Sequence, residues 1–126
     1  MKARLNLYLE ADTVRRLDRA VRRMHQDSRS GLLRAAVHEA IRLLEQGEYV
    51  PADEDACCSV NVCVYAGRAT VNRLQMLCLS SPLTYRLRDK PRRPLTSAKV
   101  TRDVLHCMLS LLERGVQLRI GDCNAR

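Results

Sequence analysis

The sequence predicts a mainly α-helical fold carrying a two-stranded antiparallel β-ribbon, built from two copies of a strand–helix–helix unit. Three observations predict it. The runs RLNLYLE (4–10) and SVNVCVY (59–65) place an apolar residue at every second position, the period of a strand with one buried face. Each run is followed by apolar residues at three- and four-residue steps, the period of an amphipathic helix. The two halves also repeat: TVRRL (13–17) and TVNRL (70–74) share four of five positions, and LLRAAVHEAIRLLEQG (32–47) aligns without a gap to VTRDVLHCMLSLLERG (100–115).

In the first copy, residues 1–47, Leu5, Leu7 and Leu9 point one way and Arg4, Asn6, Tyr8 and Glu10 the other. ADTVRRLDRAVRRM then reads as a helix with Val14, Leu17, Val21 and Met24 inward, and Asp12 or Thr13 as its N-cap. HQDSRSG breaks the period. A second helix follows with Leu33, Ala36, Val37, Ala40, Ile41 and Leu44 as its stripe, Ser28 or Ser30 at its start and Gly47 at its end.

Residues 48–58, EYVPADEDACC, form an acidic linker read as a solubilising hinge. The second copy, residues 59–118, turns Val60, Val62 and Val64 inward and then repeats the helical spacing through Val71, Leu74, Leu77 and Cys78. The offset between copies grows from 55 to 57 to 68 residues. An insertion is therefore expected at 79–98, where Pro82, Pro91 and Pro94 disfavour a continuous helix. Residues 119–126 are expected to be a frayed tail.

The composition agrees with packed helices. With four Tyr and no Phe or Trp, a core must come from Leu, Val, Ile, Ala, Met and Cys. The net charge of +8 points to a polyanion, nucleic acid before an anionic membrane, although basic residues also keep small proteins soluble. No stretch has the apolar length of a membrane span, and MKARLNLYLEAD has no signal-peptide core, so a cytoplasmic protein with reduced thiols is expected. Cys57, Cys58 and Cys63 lack the paired spacing of a zinc site, and Cys78 and Cys107 read as small hydrophobes on helix faces. His38 and His106 are equivalent positions of the two copies, which duplication explains without chemistry. No nucleophile signature, phosphate loop or metalloprotease motif occurs, so no catalytic residue, cofactor or metal is expected.

A short amphipathic strand and two helices, with S-R-S opening the second, resembles the ribbon–helix–helix DNA-binding family of the MetJ, Arc and CopG kind. Having two copies in one chain, it is similar to the tandem, TraY-type form. A lone strand must pair to satisfy its backbone groups, so the two strands are expected to form one ribbon above four helices. The resemblance implies double-stranded DNA as partner, and because a single ribbon reads only a short site, self-association of two or more molecules on it is expected.

The outward ribbon face, expected to display Arg4, Asn6, Tyr8, Ser59, Asn61 and Cys63, fits the major groove. There arginine can donate to guanine O6 and N7, and each asparagine can bond adenine N6 and N7. By the same resemblance, Ser28, Arg29 and Ser30 grip the DNA backbone, as do the aligned Thr96 and Ser97 with Lys99 close behind. Arg86, Arg88, Lys90, Arg92 and Arg93 read either as a phosphate-contacting arm or as a solvated loop. The implied role is a sequence-specific transcriptional regulator. The alternatives are an accessory DNA-binding protein of a conjugative element's relaxosome, or an antitoxin-like protein-binding adaptor.

Overall fold

The structure, a computed structural model, describes residues 1–55 and 58–118. Strand β1 (Lys2–Leu9) leads into α1 (Ala11–Arg23) and α2 (Ser30–Glu45). Strand β2 (Val60–Gly67) leads into α3 (Arg68–Ser80), and a hairpin of two-residue strands, β3 (Thr84–Tyr85) and β4 (Arg93–Pro94), precedes α4 (Ser97–Glu113). Among the described residues, no helix is long and apolar enough to cross a membrane. The expected tail, Cys57 and Cys123 lie outside the described residues.

The two long strands pair antiparallel from Lys2↔Gly67 to Leu9↔Val60, forming the expected ribbon within one chain. Alternation decides which face is wet. Leu5, Leu7, Leu9, Val62, Val64 and Ala66 are buried against the helices, while Arg4, Asn6, Tyr8, Asn61 and Tyr65 are exposed. Leu7 lies opposite Val62, its counterpart at the 55-residue offset, so a local pseudo-two-fold axis passes through that pair.

Helix packing runs chiefly between the halves. Helix α1 packs on α4, α2 packs on α3, and α2 and α4 cross at the centre. Leu17, Leu32, Leu33, Val37, Leu74, Val100, Leu105 and Leu109 are almost wholly buried there. Ion pairs repeat the symmetry. Arg16 of α1 reaches Glu113 of α4 at 2.8 Å, and Arg73 of α3 pairs with Glu45 of α2. These residues occupy matching positions of the aligned segments, each bond crossing from one half to the other.

The helix ends correct some local expectations. Helix α1 starts two residues earlier than a cap at Asp12 requires, and three earlier than a cap at Thr13 requires. Its N-cap is Glu10 in extended conformation with no side-chain cap, and Thr13 is buried. At the other ends, Gly47 (φ 68°) and Gly115 (φ 88°) take the left-handed conformation. Their amides and the next ones close back on Leu44 and Leu43, and on Leu112 and Leu111.

The acidic segment is not a free hinge. Glu54 bonds Arg102 through both carboxylate oxygens, at 2.8 and 2.7 Å, and its backbone bonds Arg86 and Arg88 of the insertion. The insertion in turn buries Tyr85 and Leu95. It is narrower than expected, because α3 continues to Ser80 and α4 begins at Ser97. Cys78 is buried as expected, whereas Cys107 is exposed.

Candidate nucleic-acid interface

The outer ribbon face is built from cross-strand pairs. Asn6 stands opposite Cys63 and Tyr8 opposite Asn61. At the 55-residue offset Asn6 matches Asn61 and Tyr8 matches Cys63, so the pseudo-axis relates the two pairs. The Cys63 thiol donates to Asn6 Oδ1 at 3.2 Å, which orients the amide along the face. Arg4 stands opposite Tyr65, a residue outside the expected set. Tyr8 and Tyr65 remain 49% and 52% exposed, large aromatic surfaces that a buried role would have covered. Ser59 precedes β2 and lies outside the register, so its expected place on the ribbon face is corrected: the paired surface ends at Val60. The alternation in SVNVCVYA signals Tyr65 as clearly as Asn61. The repeat hides it, because its counterpart is Glu10, which lies past the end of β1.

Beside the ribbon, the start of α2 offers backbone amides. Arg29 is already helical and its own side chain makes no cap bond; Ser28 Oγ caps the first turn instead, accepting from the Ser30 amide at 3.3 Å. Arg29 is bound by Asp18 of α1 through Nε at 2.7 Å and Nη2 at 3.0 Å, a pair that spans the α1–α2 turn. The hydrogen bond from Arg29 draws the Asp18 carboxyl below its ordinary range. Ser28 and Ser30 are exposed, so hydroxyls and amides face outward while part of Arg29 serves the turn.

The start of α4 is arranged differently. Thr96 Oγ1 accepts from the Lys99 amide at 3.1 Å and caps α4, while Ser97 is buried. Lys99 was expected on the DNA backbone, and the structure corrects this. Its side chain is fully buried, with Nζ bonded to the Ala52 carbonyl, to Asp103 at 3.0 Å and to Glu54 at 3.2 Å, over the Tyr85 ring at 4.8 Å. Three acceptors satisfy the three N–H donors, and with Arg102 the cluster holds two positive and two negative charges. An ammonium so enclosed has nothing left for a phosphate.

The hairpin provides the cations instead. Arg92 is strapped to Thr84 through Oγ1 at 2.9 Å and the carbonyl at 2.8 Å, which braces the strands. Arg88, Lys90 and Arg93 line a cavity of about 450 Å³ that also touches Tyr8, Thr96 and Arg102. Among the described residues, the side chains of Arg86, Arg88, Lys90 and Arg93 form no ion pair. Glu54 is the cavity's carboxylate, and Arg102 and Lys99 already neutralise it. The result is an anion-seeking hollow joining one end of the ribbon face to the start of α4.

Residues 3–44 match the family model described as ribbon-helix-helix protein, copG family. The match covers β1, α1 and nearly all of α2; residues 60–113 lie outside it. Four helices with a two-stranded antiparallel ribbon are consistent with the fold of that family. Neither a curated protein nor a solved structure matches the chain.

Proposed function

We propose that this chain binds double-stranded DNA with sequence specificity, laying the β1–β2 ribbon in the major groove, and that it acts as a transcriptional regulator. The observation that carries the reading is the ribbon itself. One face is closed by leucine and valine, and the other presents Arg4, Asn6, Tyr8, Asn61, Cys63 and Tyr65 outward. A two-stranded ribbon is narrow enough for the groove, and these side chains carry the donors and acceptors that base edges distinguish.

Two flanking features support phosphate binding: the start of α2 with the exposed Ser28 and Ser30, and the hairpin hollow of Arg88, Lys90 and Arg93. The net charge of +8 supplies the attraction. Residues 59–118 are read as a diverged copy of 1–47, so one chain does what two chains of a symmetric dimer would do. Because the strands differ, the recognised site is asymmetric.

The test is a titration of labelled duplexes across salt concentrations with the native chain and with Arg4→Ala and Asn6→Ala. Each substitution is expected to cost on the order of 1–3 kcal/mol on the preferred site and little on unrelated DNA. Equal affinity and preference in the variants removes the ribbon from the mechanism. A binding site within a promoter favours regulation, and one beside an origin of transfer favours the accessory role.

A further inference from the structure

The starts of α2 and α4 are built to different extents. Residues 24–29 join α1 to α2 and leave an open corner with Ser28 and Ser30 exposed. Residues 81–96 join α3 to α4 and, with Glu54 of the linker, wall in the hollow beside Thr96. An open corner suffices for a phosphate on the surface of a duplex. The hollow, at about 450 Å³, falls in the range of roughly 300–1,000 Å³ found for small-molecule sites.

We propose that the hollow also takes a nucleoside di- or triphosphate, which competes there with DNA. Charge selects the occupant. Arg88, Lys90 and Arg93 line the hollow without ion pairs among the described residues, and Arg102, the other cation of the lining, is matched by Glu54. Three positive charges are left to be met in one place. A DNA strand carries one charge per about 3.4 Å of helix axis, each on a separate phosphate, so one hollow admits one of them. A terminal phosphate carries about −1.5 to −2, and each further phosphate of a chain adds about one more charge. A di- or triphosphate therefore matches the three cations, and both arginines can grip its oxygens in pairs. Thr96 adds a donor: its Oγ1 accepts from the Lys99 amide, which leaves the O–H to bond a phosphate oxygen.

The nucleoside follows from the rest of the lining. Tyr8 and Leu87 also border the hollow, and the Tyr8 ring is half-exposed, a flat surface on which a base can stack. Tyr8 stands at the same time on the outer face of the ribbon, opposite Asn61. A nucleotide resting on it occupies the cations that would meet a DNA phosphate and covers part of the surface that would meet bases. The two ligands exclude one another, so an abundant nucleotide releases the duplex.

The competition rests on the DNA-binding reading and the site does not, so the experiment has two arms. In isothermal titration of the full chain without DNA, ATP or GTP is expected to bind, inorganic triphosphate to bind about tenfold more weakly for want of stacking, and adenosine or guanosine not to bind. Arg88→Gln/Lys90→Gln/Arg93→Gln, at three exposed positions, should lose the nucleotide and keep its unfolding midpoint. Arg15→Gln/Arg19→Gln/Arg22→Gln removes as much charge from α1 and should keep the nucleotide, which separates the hollow from the net charge of +8. In the second arm, nucleotide at about ten times its own Kd should lower apparent duplex affinity about tenfold, and the residual duplex binding of the hollow variant should not respond. A native chain that binds no nucleotide, a hollow variant that still binds it, or an α1 variant that loses it equally overturns the proposal. So does triphosphate binding as tight as nucleotide, or nucleotide that binds without displacing a bound duplex. Nucleotide binding by a chain that binds no duplex leaves the hollow assigned and removes the DNA reading.

Discussion

Lys99 shows how one residue can change role without changing type. At the start of a helix in a basic stretch it looks like a phosphate ligand. Three acceptors from the linker and from α4 turn it into the centre of a buried, charge-balanced cluster. Breaking such a pair leaves its partners uncompensated. Lys99→Met is therefore expected to lower stability by about 3–5 kcal/mol in denaturant unfolding, with the preferred DNA sequence unchanged for the folded fraction. A change below about 1 kcal/mol would show the cluster to be incidental.

Two titrating groups add pH dependence. Burial, then the positive charge of Arg16, holds the His106 imidazole below its ordinary value of 6.5. Protonation accordingly favours the unfolded chain. Stability from this source is full above pH 6.5 and declines as pH falls from there through the depressed folded value. Urea midpoints measured between about pH 8 and about pH 5 should fall, and should fall less in His106→Gln. Glu54 acts lower on the scale. Burial pushes its carboxyl up, but the hydrogen bonds and charges of Arg102 and Lys99 outweigh it, so its contribution is present above 4.5 and disappears in more acid solution.

At the scale of elements, the ribbon and the four helices were legible because each depends on a local period. Leu5, Leu7 and Leu9 state a strand, and Leu33, Val37 and Ile41 state a helix, whatever surrounds them. The hairpin was not legible. Its strands are two residues each, one of them Arg93–Pro94, and what fixes them lies far along the chain: Asp53 accepting from the Arg86 amide, Glu54 bonding Arg88, and Tyr85 under the Lys99 ammonium. The linker hid the same way, since three acids in a row resemble a solvated hinge until Arg102 and Lys99 are found beside one of them. Part of the candidate surface follows from alternation alone, namely Arg4, Asn6, Tyr8, Asn61 and Cys63. Tyr65 follows from the same alternation but is hidden by the repeat, whereas Ser59 needed the register to be removed.

The hairpin also makes a prediction at this scale. Arg88→Ala/Lys90→Ala/Arg93→Ala should weaken binding to all duplexes alike, and the slope of log affinity against log salt should fall by about one for each phosphate no longer neutralised. A changed sequence preference at an unchanged slope would place these residues away from the backbone.

Across the whole molecule, the halves are interleaved rather than stacked. Strand pairs with strand, α1 packs on α4, α2 packs on α3, and the equivalent pairs Arg16–Glu113 and Arg73–Glu45 both cross between halves. Neither half encloses its own leucines. Residues 1–47 expressed alone are therefore expected to be either unfolded or dimeric through their own strand, and the intact chain to unfold in one transition by every probe. A folded monomer of 1–47, seen by sedimentation and circular dichroism, would contradict the interleaving. On the proposed DNA-binding reading, the same arrangement would place two different strands in one groove and so let a single chain read an asymmetric sequence.

Selection of bound duplexes from a random pool tests asymmetric reading by the ribbon most directly. The native chain should enrich one short, non-palindromic motif, and Asn6→Ala and Asn61→Ala should relax base preference at separate positions within it. A pool that shows no enrichment, or a motif that both substitutions leave intact, contradicts recognition through the ribbon.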